Sequence, residues 1–114
     1  MTEQPYRIEW RPMAREDLRA IVRYIGKDNP KRAKSFGQEL RDKTKPLAQH
    51  PELGRKGRPG LPEWLSELVA HPNYIIFYRV LAESRTVEIL RVKHAALQSP
   101  EVQREGPPGD EIGL

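Results

Sequence analysis

The sequence contains no cysteine. That excludes a disulfide framework, a thiolate nucleophile and any cysteine-ligated metal. No apolar run approaches the roughly 20 residues needed to span a bilayer, and the N-terminus lacks an apolar signal core. A cytoplasmic protein without membrane contact is expected. The three histidines, His50, His71 and His94, are too scattered to outline a metal site. There is no phosphate-binding loop, no dinucleotide fingerprint and no His-Glu-x-x-His helix. Neither a metal nor a cofactor is expected. Gly54, Gly57 and Gly60 recur at every third position but lack the flanking strand and helix of a phosphate cradle, so they read as part of a basic loop. Internal repeats are also absent.

What remains suits one small domain: 114 residues, 37% apolar and 32% charged. Such a composition implies a thin core, one sheet covered on one face by helices. A domain of this kind is a candidate to draw stability from a partner. The net charge of +4 favours anionic partners, although many basic domains bind no nucleic acid. Residues 95–114 hold Arg104 against Glu101, Glu105, Asp110 and Glu111, so the body is more basic than the whole. A single domain over residues 1–100 is expected, followed by an acidic, disordered stretch at 101–114.

Residues 6–10 alternate large apolar with charged side chains, the period of a half-buried strand with Tyr6, Ile8 and Trp10 inward. Leu18, Ile21, Val22 and Ile25 then follow helical spacing, while Arg15, Arg19 and Arg23 line another face. Asn29 before Pro30 is a helix start, the asparagine as cap and the proline at the first position. Ala33, Phe36, Leu40 and Leu47 mark a second helix, whose last turn is disturbed by Pro46. Residues 50–62 read as a loop. Strands are expected over 64–70, 74–81 and 86–93, joined by Pro72-Asn73 and by residues 82–85. The fold class is therefore α+β, in the order β-α-α-β-β-β. It is an antiparallel sheet with a helical hairpin packed on one face, leaving the opposite face as the working surface.

His50 and His71 each precede a proline, where a turn or capping role is expected. His94 ends the last strand near Arg91 and Lys93. It is either a general acid or base or a strand-end histidine bonded to backbone. Metal-free RNA cleavage needs a base for the 2′-hydroxyl, a cation for the phosphate and an acid for the leaving oxygen. His94, Arg91, Arg79, Tyr74, Arg55 and Arg58 are the supply. Tyr74 and Trp64 could stack on bases or simply pack. Arg79 either pairs with Glu88 or Glu67 across the sheet or meets an anionic partner.

Four pieces, in this order, carry a family resemblance. They are Ala14-x-x-Asp17-Leu18-x-x-Ile21-x-x-Tyr24-Ile25, His50-Pro51-x-x-Gly54-Arg55, Glu67-Leu68-x-x-His71-Pro72-Asn73-Tyr74-Ile75-Ile76-x-Tyr78-Arg79-Val80, and Val87-Glu88-Ile89-Leu90-Arg91-Val92-x-His94-Ala95. Together, over about residues 6–100, they resemble the RelE/ParE toxin superfamily of type II toxin–antitoxin systems. The resemblance implies the fold above, a cognate antitoxin, a hetero-oligomer with it, and a role in growth inhibition or plasmid stabilisation. RelE-like members cleave mRNA on the ribosome, whereas ParE-like members poison DNA gyrase. The RelE-type catalytic places correspond here to Ser66, Leu68, Ile75 and Ala95, none suited to the chemistry. Another nuclease branch has a histidine where His94 stands and one resembling His50, but expects an acid where Asn73 sits. The wording is closer to ParE. Gyrase binding is the leading expectation, a ribosome-dependent mRNA endoribonuclease the alternative, and an inactive toxin-fold binding module the second. His94 and Arg91 are catalytic only under the nuclease reading. Arg55, Arg58, Arg79, Lys93 and Tyr74 are candidate contacts for a partner or nucleic acid.

Overall fold

The computed structural model describes residues 4–56 and 59–97. Strand β1 (Arg7–Trp10) leads into helix α1 (Pro12–Gly26) and helix α2 (Pro30–Lys43), then a 3-10 turn at Lys45–Ala48. Strands β2 (Arg55–Lys56), β3 (Ser66–His71), β4 (Tyr74–Leu81) and β5 (Thr86–His94) follow, and a second 3-10 turn covers Ala95–Leu97. The sheet order is β1-β5-β4-β3-β2. Strands β2 to β5 form an antiparallel meander, as their short connections require. The two helices lie on one face.

The helices form where spacing and caps agree. Pro12 and Pro30 occupy first-turn positions, where a missing N–H costs nothing. Asn29 caps α2, its side-chain oxygen accepting from the Arg32 N–H at 3.0 Å. Asn29→Ala should therefore cost about 1 kcal/mol, read as a lower urea midpoint. An unchanged midpoint would mean that solvent replaces the cap. Helix α2 stops at Lys43, before Pro46, and Leu47 reaches the core from the 3-10 turn. Gly37 lets α2 approach α1, since a Cβ there would lie 2.9 Å from the Val22 methyl.

The core joins Ala14 and Leu18 of α1, Phe36 and Leu40 of α2, and Ile76, Tyr78, Val87, Ile89 and Val92 of the sheet. Tyr6, Ile8 and Trp10 pack against it, as their alternation predicts.

Three features depart from the expected architecture. First, β1 pairs with β5 in parallel, Arg7 opposite Thr86 and Trp10 opposite Ile89. It joins the outer edge of the last strand, so the antiparallel description holds for the meander alone. Second, a two-residue strand, β2, interrupts the expected 50–62 loop, pairing Arg55 with Glu67 and Lys56 with Ser66. Third, part of the sheet face away from the helices is covered by the chain itself. Leu65, Ile75 and Phe77 are buried there, with Leu61, Leu90 and Ala95 packed on them. The chain before β3 folds over this face, turned by a Leu65 N–H to Pro62 carbonyl bond.

The β4–β5 register shifts between Phe77 and Tyr78, which pair with Arg91 and Ile89 and leave Leu90 as the extra residue. A bulge of this kind re-aims the side chains beside it. At the other end of the hairpin, Arg85 adopts a left-handed conformation (φ 47°). Its guanidinium donates to the Gln4 carbonyl and lies 4.4 Å from the Tyr6 ring centre, which ties the turn to the start of β1.

Candidate functional site

Strand β1 ends at Trp10, while β5 continues to His94. The outer edge of β5 beyond Ile89 therefore lacks a strand partner, and an unpaired buried N–H is costly. Asp17 of α1 supplies the acceptor. Its Oδ2 takes the Val92 N–H at 2.9 Å and the Arg91 Nε–H at 2.8 Å, while Oδ1 takes an Nη2–H of Arg91 at 2.9 Å. Both side chains are more than four-fifths buried. The pair of motif residues, 74 positions apart, thus locks α1 to the sheet. Arg91 is committed to this forked contact, and a phosphate would have to displace a carboxylate to reach it.

His94 and His71 make matching local bonds. The Nδ1 of His94 accepts the Ala96 N–H at 3.0 Å, and the Nδ1 of His71 accepts the Asn73 N–H at 3.0 Å. An accepting Nδ1 leaves Nε2 to carry the ring proton. The strand-end, backbone-bonded reading of His94 is the one seen. Tyr74 pairs with both histidines across the sheet, its ring centre 5.1 Å from His94 and 6.1 Å from His71. Phe36 closes the cluster at 5.0 Å from His71 and 5.6 Å from Tyr74, with the Arg32 guanidinium 5.1 Å over its ring. Burial, with a smaller contribution from Tyr24, raises the Tyr74 phenol above its ordinary pKa. These residues, with Tyr24 and Lys93, line an open groove of about 670 Å³ between α1, α2 and the β3–β4 turn. Tyr74 therefore packs and also faces the groove.

The remaining candidates lie elsewhere. Arg79 donates to Glu88 at 2.8 Å and stands 5.6 Å from the Trp64 ring centre, so the expected cross-strand pair forms on the face away from the helices. Arg55 is 3.5 Å from the buried carboxylate of Glu67. Arg58 lies outside the described residues. His50 is exposed near the Tyr78 end of β4, four residues along the strand from Tyr74, and does not join His94. Ser66 and Ile75 are buried. Among the described residues, no three side chains converge as a metal site, and no helix is long and apolar enough to cross a membrane.

One contact was not foreseen. The Tyr78 hydroxyl, fully buried, donates to the Pro51 carbonyl at 2.9 Å and accepts the Gly54 N–H at 2.8 Å. The His50-Pro51-x-x-Gly54-Arg55 motif is thus a clasp around a core tyrosine. Burial raises the Tyr78 pKa, which keeps this hydroxyl a donor well into alkaline solution.

Two helices on one face of a five-stranded, mostly antiparallel sheet, locked by these motif pairs, make the fold that solved RelE/ParE toxin structures share. A family model described as the ParE toxin of the type II toxin–antitoxin system parDE matches residues 8–98. This chain belongs to that family. It is 41% identical over 96 residues to Y4kP of Sinorhizobium fredii, a protein named as a toxin, covering 84% of this chain and 95% of that one. It is 31% identical over 88 residues to toxin RelE3 of Caulobacter vibrioides, covering 77% and 92%. Among solved structures, a chain of the chromosomal ParDE system from P. aeruginosa shares the fold, with a TM-score of 0.68, 24% identity and coverage of 81% and 98%. A chain of the RelBE2 toxin–antitoxin complex from Mycobacterium tuberculosis gives 0.52, 26%, 79% and 98%.

Proposed function

We propose that this toxin acts in the bacterial cytoplasm as ParE-type toxins do, by binding DNA gyrase and arresting growth, and that a cognate antitoxin holds it in a hetero-oligomer. The observation that carries the reading is the dispersal of the nuclease candidates. Arg91 is held by Asp17, Arg79 by Glu88, and the Nδ1 of His94 by a backbone N–H. His50 stands apart from His94, and a buried Ile75 occupies a place where RelE-type catalysis needs a reactive side chain. With Arg91, Arg79 and Arg55 each engaged by a different carboxylate, these three cations do not gather around one phosphate, and in-line RNA cleavage would lack their electrostatic stabilisation. An antitoxin segment of acidic, amphipathic character suits the basic body. In the complex named for the mycobacterial relative, toxin and antitoxin are found together.

Expression of the chain alone in bacteria, with and without the adjacent gene, tests the reading. Supercoiling defects and double-strand breaks relieved by the neighbour are expected. Rapid cleavage of mRNA at ribosomal A sites would overturn it in favour of a nuclease. Loss of any growth effect would leave an inactive binding module. His94→Asn sharpens the choice, because the amide oxygen can still accept the Ala96 N–H while the imidazole is lost. Undiminished toxicity is expected, whereas a ribonuclease using His94 as acid or base should lose about 100-fold or more in cleavage rate.

A further inference from the structure

A second groove, of about 730 Å³, lies between α1, α2 and β1, outside the histidine cluster. Its apolar lining includes Ile8, Trp10, Leu18 and Val22. Arg15, Arg19, Arg23 and Arg41 also line it. Arg19 and Arg23 share the single carboxylate of Glu16, at 2.8 and 3.6 Å. Arg15 and Arg41 have no ion pair among the described residues. Glu9, the one acid of the lining, is taken by Arg11 at 3.7 Å. The groove thus asks for an occupant with both carboxylates and aliphatic side chains.

The chain contains such a segment. Residues 101–114 carry Glu101, Glu105, Asp110 and Glu111, with Val102, Ile112 and Leu114. The family match ends at residue 98, so this stretch is an addition to the shared toxin domain. We propose that residues 101–114 dock in the Arg15–Arg19–Arg23–Arg41 groove as an intramolecular acidic strap.

Reach does not oppose this. The chain leaves β5 at Ala95–Leu97, and Asp17, two residues from both Arg15 and Arg19, already bonds the Val92 backbone. From the Asp17 side the path round α1 to the arginine face is about half the helix circumference, roughly 16–19 Å. Residues 98–109, extended, span up to about 40 Å. A tether of this length gives an effective concentration of about 1 mM. A free-peptide Kd near 0.1 mM would then keep the strap docked about 90% of the time. Exposed ion pairs are screened by salt, so the docked fraction falls as ionic strength rises.

Trp10 reports occupancy, because it lines the groove and Trp64 is the only other tryptophan. In the full chain carrying Trp64→Phe, Trp10 emission should move to the red and acrylamide quenching should increase when E101Q, E105Q, D110N and E111Q are combined. Added salt should produce the same shift in the parent. A chain ended after Pro100 retains every described element, and a synthetic 99–114 peptide should bind it with a Kd of about 0.1 mM, weakening with salt. Identical Trp10 emission and quenching in parent and neutralised chains would overturn the proposal. So would absence of peptide binding at low salt. A concentration-dependent dimer lost on neutralisation would place the segment on a second copy and overturn intramolecular docking. Equal affinity of the full and shortened chains for duplex DNA would assign the arginines to nucleic acid instead.

Discussion

Asp17→Ala should destabilise the toxin by about 3–5 kcal/mol, enough on a domain of this size to lower Tm by well over roughly 10 °C. The magnitude follows from what is left behind. Arg91, with a side chain 18% exposed, loses both bonds of its fork, and the Val92 N–H loses its acceptor. A buried cation without its partner costs far more than the pair contributes when intact. Asp17→Asn should fall between, since one oxygen remains to accept while the charge is gone. The double variant Asp17→Ala with Arg91→Ala should cost less than the sum of the two single changes, because no charge is then stranded. Denaturant unfolding of the four chains checks this. A loss below about 1 kcal/mol for Asp17→Ala would show the pair to be solvent-screened, as surface ion pairs are.

Gly54→Ala is the second large effect, expected at about 3 kcal/mol, the upper range for forced overpacking. An added Cβ would overlap the Glu67 carbonyl oxygen and lie 2.6 Å from the Tyr78 hydroxyl and 2.8 Å from its Cε1. The first obstacle is strand backbone, and the others belong to a fully buried ring, so nothing nearby yields cheaply. The 51–54 turn must lift, which opens the clasp. Tyr78→Phe should cost about 1–3 kcal/mol by leaving the Gly54 N–H and Pro51 carbonyl without their partner. With Tyr78→Phe already in place, the Gly54→Ala penalty should shrink but persist, because the Glu67 carbonyl remains. Equal penalties with and without Tyr78→Phe would mean that the tyrosine hydroxyl is not part of the obstacle.

These two sites show where sequence reasoning reached and where it stopped. The helix faces, the Asn29 cap and the Arg79–Glu88 pair follow from local periodicity and short-range partners, and each stands as expected. Strand β3 begins at Ser66 instead of 64, because the Leu65 N–H is used in a turn. What escaped was contact between distant segments. Nothing local distinguishes Asp17 from any other carboxylate on a charged helix; its importance comes from β1 being shorter than β5. Gly54 reads as loop freedom, yet it serves close approach to a tyrosine 24 residues away. The apolar residues around Leu61 and Leu65 sit among prolines and glycines, which hid a second small core. The candidate site was partly legible. Tyr74 and His94 do meet, but Arg91 and His50 turn elsewhere for reasons only the packing supplies.

The parallel seam between β1 and β5 has a consequence for timing. Arg7 must find Thr86 and Trp10 must find Ile89, nearly the full length of the domain away. Such distant pairing is slow to form, since loop closure precedes any reward. On a translating ribosome the first strand has no neighbour until the last has emerged. The sheet is completed only once β5 is free to pair, so the seam that closes the toxin's surface is the last of its strand pairings to form.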